Sequence, residues 1–174
     1  MKYFVKLFVV TSFLIISTYA YAEQKIVVLD LKYVLNSSKA GITAQEYLKK
    51  QHNNNIKEFT ELEKKLKEDE TKLLEAKKGL SKEDYKKSSD ELRKKVITYQ
   101  TKRRSSLETL GKKRAELKTK LMDKLKPIVD AYIEENQISI VIDKKFMLGG
   151  LTEFDITNLI TDKLNKELPS ISLQ

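Results

Sequence analysis

The chain has 174 residues, no cysteine, one histidine, and 34 Lys and Arg against 25 Asp and Glu, a formal net charge of +9. That length allows one domain of ordinary size. Without a thiol the chain has neither a disulfide framework nor a lipoprotein attachment site. With a single histidine it has no ligand cluster for a metal and no Ser-His-Asp set.

The first residues read as an address. Lys2 and Lys6 give a basic start, Leu7 to Ile16 is an apolar run broken only by Thr11 and Ser12, and Ala20-Tyr21-Ala22 fits the small-x-small rule for signal peptidase. An uncleaved anchor would need about 20 apolar residues, so residues 1–22 are expected to be a signal peptide cleaved after Ala22. The exported product, residues 23–174, has no second apolar run and is expected to be soluble.

Lys25-Ile26-Val27-Val28-Leu29-Asp30 is a β-branched run that predicts a buried strand. Leu31, Val34 and Leu35 follow at helical spacing, and Asn36 to Gly41 is rich in turn formers. A first long helix is expected from Thr43, with Glu46 completing a capping box. Phe59, Leu66 and Leu73 recur at seven residues, with Leu48, Leu62 and Ala76 in the partner register of a coiled-coil seam. His52, Asn55 and Asp69 fall on the same seam, so the packing is expected to be loose. Lys77 and Lys78 suit the helix C-terminus, and Gly79 is expected to close it in the left-handed conformation. Ser81-Lys82-Glu83-Asp84 predicts a new helix start and an antiparallel hairpin turning near residues 79–81.

The returning arm carries Tyr85, Leu92, Val96, Tyr99, Leu107, Leu110, Leu117, Leu121, Leu125 and Ile128, with Pro127 as an expected kink. Folding at residue 80 puts Leu66 near Val96 and Leu62 near Tyr99. Ile138-Ser139-Ile140-Val141-Ile142-Asp143 predicts a second strand, and residues 146–151 a third. Asp155-Ile156-Thr157 opens a final helix with Leu159, Ile160 and Leu164 on one face; Pro169 ends it, and 170–174 is expected to be a loose tail.

The charge is unevenly placed. Residues 43–76 hold seven basic and eight acidic side chains, 77–104 eleven against four, and 105–135 seven against six. Two readings of the basic stretch stand: a solvated helix face, or a surface for anions such as nucleic acid, lipid headgroups or acidic proteins. Export argues against nucleic acid. Glu68 and Glu70 lie on a lysine-rich face rather than in an acid/base pair, and Gly149-Gly150 lacks the lysine-and-hydroxyl ending of a phosphate loop. No enzyme chemistry and no cofactor or metal site is expected. The class is α+β: a small β platform from 23–42 and 136–174, with 43–135 as a helical-hairpin arm. So meagre a core predicts that other copies of the chain complete the platform.

The order Lys25 to Gly41, charged hairpin, Ile138 to Asp143, then Phe154-Asp155-Ile156-Thr157 and a closing helix resembles the Skp/OmpH family of periplasmic chaperones across essentially the whole exported chain. The resemblance implies a homotrimer whose strands share a barrel and whose three arms surround a cavity. It also implies an ATP-independent holdase that keeps unfolded outer-membrane proteins from aggregating and delivers them for assembly. On that reading the client-binding arm comprises Lys77, Lys78, Lys82, Tyr85, Lys86, Lys87, Arg93, Lys94, Lys95, Tyr99, Arg103 and Arg104. Lys112 and Lys113 lie nearest to where some family members are thought to contact lipopolysaccharide. The other reading is a non-chaperone envelope coiled coil, either a spacer or an anionic-lipid or nucleic-acid binder.

Overall fold

A computed structural model describes residues 24–173; the expected signal peptide and its cleavage point lie outside the described residues. Strand β1 (Lys25–Leu29) leads into the short helix α1 (Leu31–Ser37). Two long helices follow, α2 (Lys39–Ala76) and α3 (Lys82–Glu135), of 38 and 54 residues, or about 57 and 81 Å at 1.5 Å per residue. Strand β2 (Ile138–Asp143), two single 3-10 turns (Lys144–Phe146 and Thr152–Phe154) and helix α4 (Thr157–Glu167) complete the chain.

The two strands pair in parallel, Ile26 opposite Ile140 and Val28 opposite Ile142. Parallel neighbours need a long crossover, and here the crossover is the whole hairpin arm. The expected third strand does not form: residues 146–151 leave the sheet after the first 3-10 turn. Instead the backbone at Asp155 bridges to Val28 on the other edge of β1, with the Ile156 amide donating to the Val28 carbonyl at 2.9 Å.

Alternation along β1 buries Val27 and Leu29 against α3 and α4, where they meet Val34, Leu125, Ile128, Ile138, Ile156, Ile160 and Leu164. A second cluster sits at the root of the arm: Ala40 and Ala44 of α2, Leu117 and Leu121 of α3, and Ile171. The tail is therefore not loose, because Ile171 is buried between the two arm helices. On α4 the buried face is Thr157, Ile160, Thr161 and Leu164, and Leu159 points outward.

The polar groups of the platform close its joints. The Asp30 carboxylate caps α1 by accepting from the Tyr33 amide at 2.8 Å, and its own amide donates to the Thr157 hydroxyl at 2.8 Å. Helix α2 starts earlier than expected. Ser38, not Thr43, is its cap and accepts from the Gly41 amide at 3.1 Å; Asn165 of α4 accepts from the Lys39 amide at 2.7 Å. Thr43 lies within the helix and bonds back to the Lys39 carbonyl. The turn formers of 36–41 thus separate two helices by a single residue, and the arm grows directly out of the platform.

The hairpin turn also differs from expectation. No glycine among the described residues has a positive φ. Helix α2 instead tightens through bonds from the Lys77 amide to the Leu74 carbonyl and from Gly79 to Ala76. Ser81 then caps α3, accepting from the Asp84 amide at 3.1 Å. Among the described residues the only one with a positive φ is Gln137 (φ 52°), at the corner where α3 gives way to β2. Helix α3 runs on through Pro127.

Candidate functional site

Among the described residues, the outer part of the arm is the one large feature that the platform does not use for its own packing. No residue between 45 and 116 is fully buried. Its seam is a line of half-buried side chains: Phe59, Leu62, Leu66, Asp69 and Leu73 on α2 against Tyr85, Leu92, Val96 and Tyr99 on α3. Phe59 and Tyr99 meet edge to face, ring centroids 6.0 Å apart. Of the polar residues expected on the seam, Asn55 and Asp69 are there, but His52 is exposed and Gln51 takes its place; Ala76 is also exposed.

The basic stretch gathers around the turn and along one helix rather than into a pocket. Lys77 lies over the Tyr85 ring, its Nζ 5.6 Å from the centroid, and so ties the end of α2 to the start of α3. Lys78, Lys82, Lys86, Lys87, Arg93, Lys94, Arg103 and Arg104 are all exposed, and none of them forms an ion pair within the described residues. Lys95 is different: its Nζ is 2.7 Å from Asp69 Oδ2 across the seam. That hydrogen bond and the charge behind it raise the Lys95 pKa above its ordinary value and lower that of Asp69. Lys95 is thus partly spent inside the arm. Folding at residue 80 places 69 opposite 91, about one turn from 95, so the sequence alone does not select this partner.

Lys112 and Lys113 behave unequally. Lys112 is exposed, whereas Lys113 is mostly covered and paired with Glu116 at 3.1 Å, which also holds Lys120 at 2.8 Å. Hydrogen bonds from Lys120 and Lys113 lower the Glu116 pKa. Lys112 and Lys113 line a cleft of about 780 Å³ with Tyr47, Gln51, Phe59 and Ser106. Small and polar seam residues leave this gap, because they cannot fill the space between the helices as leucines would. On the other side of the arm a groove of about 990 Å³ is lined by Leu35, Ile42, Leu48, His52, Arg114 and Lys118, among others. Sequence reasoning did not find either hollow.

Around the platform, Lys144 reaches Asp155 at 2.6 Å, which raises the lysine's pKa. Partial burial pushes the Asp155 carboxyl up, but Lys144 and the hydroxyl and amide of Thr157 together outweigh it and leave the group lowered. Asp143 is lowered chiefly by the Lys145 amide. None of these pairs lines a cavity with a nucleophile. Among the described residues no group of His, Cys, Asp and Glu can hold a metal ion, and no helix is long and apolar enough to cross a membrane.

A two-strand parallel sheet whose crossover is a long, loosely packed antiparallel helical hairpin defines a class of α+β proteins built to project an arm. The chain belongs to the OmpH-like outer membrane protein family, whose model matches residues 25–164. A similar solved structure is that of a Caulobacter crescentus CB15 protein described as a proposed outer membrane chaperone (OmpH-like). The two align with a TM-score of 0.78 at 15% identity over 90% of this chain and 92% of that one. No functionally curated protein matches the sequence.

Proposed function

We propose that the protein is an ATP-independent periplasmic holdase that binds unfolded outer-membrane proteins and hands them on for assembly. One observation carries the reading. The largest feature of the molecule is an arm with no fully buried side chain along most of its length and with a surplus of unpaired cations at its far half. Such an arm attracts acidic chains at long range and holds apolar side chains weakly and interchangeably. The membership of the OmpH-like family and the description of the Caulobacter relative support the same reading.

The chain is proposed to work as a homotrimer, with 23–42 and 136–174 as the shared platform and 43–135 as the arm. The outer edge of β2 carries no further strand among the described residues, and unpaired edges invite another chain. The segment beyond it leaves Phe146, Leu148 and Leu151 largely exposed. Lipopolysaccharide or anionic lipid would meet Lys112 more readily than Lys113, which Glu116 engages.

The test is dilution of a urea-unfolded outer-membrane porin into buffer with the mature protein present. Suppressed light scattering is expected; scattering that rises as it does without the protein refutes the holdase reading. Replacing Lys86, Lys87, Arg93, Lys94, Arg103 and Arg104 with Gln is expected to weaken capture, and more so at low salt. Sedimentation as a monomer at every concentration would refute the shared platform.

A further inference from the structure

The four most exposed large apolar side chains of the arm's shaft are Ile56, Leu74, Ile97 and Leu107, at 51, 57, 54 and 53%. Each stands one residue after a half-buried seam position: Asn55, Leu73, Val96 and Ser106. One residue advances a right-handed helix by about 100°. In two helices running in opposite directions, that step turns both toward the same side of the pair. All four therefore share one face of the hairpin.

The two hollows at the base of the arm show the same division. The groove on this face is lined by residues that follow seam positions, His52, Arg114 and Lys118, together with Ile42. The cleft on the opposite face is lined by residues that precede them, including Glu58, Ser105, Thr109 and Lys112. The register fixed by Phe59 with Tyr99 and Asp69 with Lys95 sets Ile56 level with Leu107. Ile97 then lies about 15 Å further toward the tip than Leu107, and Leu74 about 27 Å further than Ile56. Arg93 and Arg114 stand on the same side, exposed and without an ion pair within the described residues. The opposite face has no comparable apolar side chain; carboxylates occur on both, Glu63 and Glu70 on the proposed face and Glu58, Glu61, Glu68 and Glu91 on the other.

We propose that this one face, rather than the whole circumference of the arm, is the surface that takes the client, and that the occupant is an extended polypeptide carrying apolar and acidic side chains. The proposal rests on the holdase reading and names the site within it. Apolar points some 15 Å apart match every fourth or fifth residue of an extended chain at about 3.3 Å per residue. They match no single folded knob. The guanidinium of Arg93, between Ile97 and Leu74, and that of Arg114, rootward of Leu107, complement carboxylates.

The chain has no cysteine, so single-cysteine variants can be labelled cleanly with a benzophenone maleimide. Leu107→Cys and Ile56→Cys report on the proposed face, Thr109→Cys and Glu58→Cys on the other. With an unfolded porin diluted from urea, crosslinking is expected to be several-fold stronger from the first pair. Equal yields from the two pairs, or more from the second, overturn the face assignment while leaving the holdase reading intact. That reading fails separately if the unmodified protein does not suppress aggregation. Crosslinks between copies of the chain at Leu107 without a client would assign the face to self-association. Displacement of porin crosslinks by phosphatidylglycerol vesicles, with direct labelling of lipid, would assign it to a membrane surface; either result overturns the proposal. As a second readout, Ile56→Ser with Leu107→Ser is expected to weaken porin binding about tenfold, from the lost burial of two aliphatic side chains. Glu58→Ser with Thr109→Ser is expected to leave it unchanged, and far-UV circular dichroism checks that both variants fold.

Discussion

Substituting Gly41 by alanine isolates the joint from which the arm grows. By helix propensity alone the change should help, since glycine is about 1 kcal/mol worse than alanine inside a helix. The structure reverses the sign. A Cβ at Gly41 would lie 2.1 Å from the Leu35 carbonyl oxygen and 2.9 Å from Ser38 Oγ. The first is backbone of α1, and the second is a buried hydroxyl held by its own cap bond to the Gly41 amide. Neither can swing aside as a flexible side-chain end would, so α1 must shift by more than an ångström against α2. Its neighbours Ala40 and Ala44 are packed on Leu117, Leu121 and Ile171, so that shift spreads into the arm root. Overpacking of this kind costs about 1–3 kcal/mol and sometimes more. After the propensity gain, a net loss of up to about 2 kcal/mol is expected for Gly41→Ala. Gly111, exposed in α3 with nothing within 4 Å of a built Cβ, should behave oppositely and gain about 0.5–1 kcal/mol as alanine. Urea unfolding followed by circular dichroism at 222 nm measures both. A Gly41→Ala midpoint at or above that of the parent would refute the close-approach argument.

Ile171→Ala is expected to cost about 2–3 kcal/mol in the same unfolding assay, because the side chain fills space between α2 and α3; an unchanged midpoint would mean that the tail does not pack. Acid should destabilise the fold. The carboxyls of Asp69, Asp143, Asp155 and Glu116 are held below their ordinary values of 3.8 for Asp and 4.5 for Glu, so their contribution is present above those values and is lost as pH falls through the folded ones. Lys95 and Lys144 are raised, so their share persists up to about their ordinary 10.5 and is lost only above it. The thermal midpoint should therefore fall below about pH 4, and Asp155→Asn should flatten that limb; an equally steep limb in the variant would remove Asp155 from the account.

The elements that were legible in the sequence are those whose signal is local. The runs at 25–29 and 138–143 are dense in β-branched residues, Ser81-Lys82-Glu83-Asp84 is a helix start, and the apolar stripe of α3 is periodic. What escaped was set by partners distant in sequence. Ser38 outcompetes Thr43 as a cap because Asn165, far along the chain, satisfies a neighbouring amide. Residues 146–151 have strand composition, yet the chain turns away at Lys144 and the bridge to β1 is made at Asp155 instead. Ile171 looked like part of a free end because nothing nearby in sequence marks the slot between Ala40 and Leu117. At the candidate site, the excess charge of 77–104 is plain, but nothing local in the sequence separates Lys95 and Lys113 from their neighbours. Ion pairs reduce both, and the Asp69–Lys95 pair needs the hairpin register to be seen.

Stability and function are divided along the arm by the same physics. The fully buried aliphatic side chains of α3 are all in its C-terminal half: Leu117, Leu121, Leu125 and Ile128. Each such side chain is worth about 1.5–3 kcal/mol of burial, so the root and platform hold together as one unit. Beyond them the seam offers half-buried leucines, one edge-on aromatic pair and one ion pair that solvent screens. Opening the outer arm therefore breaks few contacts and leaves the root intact, as expected for a region at the low end of local stability. A tighter seam, with leucine in place of Asn55, Asp69 and Ser106, would rigidify the arm and withdraw from solvent the apolar surface it can offer. On the holdase reading, the polar residues that spoil the coiled coil keep the arm able to bind chains of different shape.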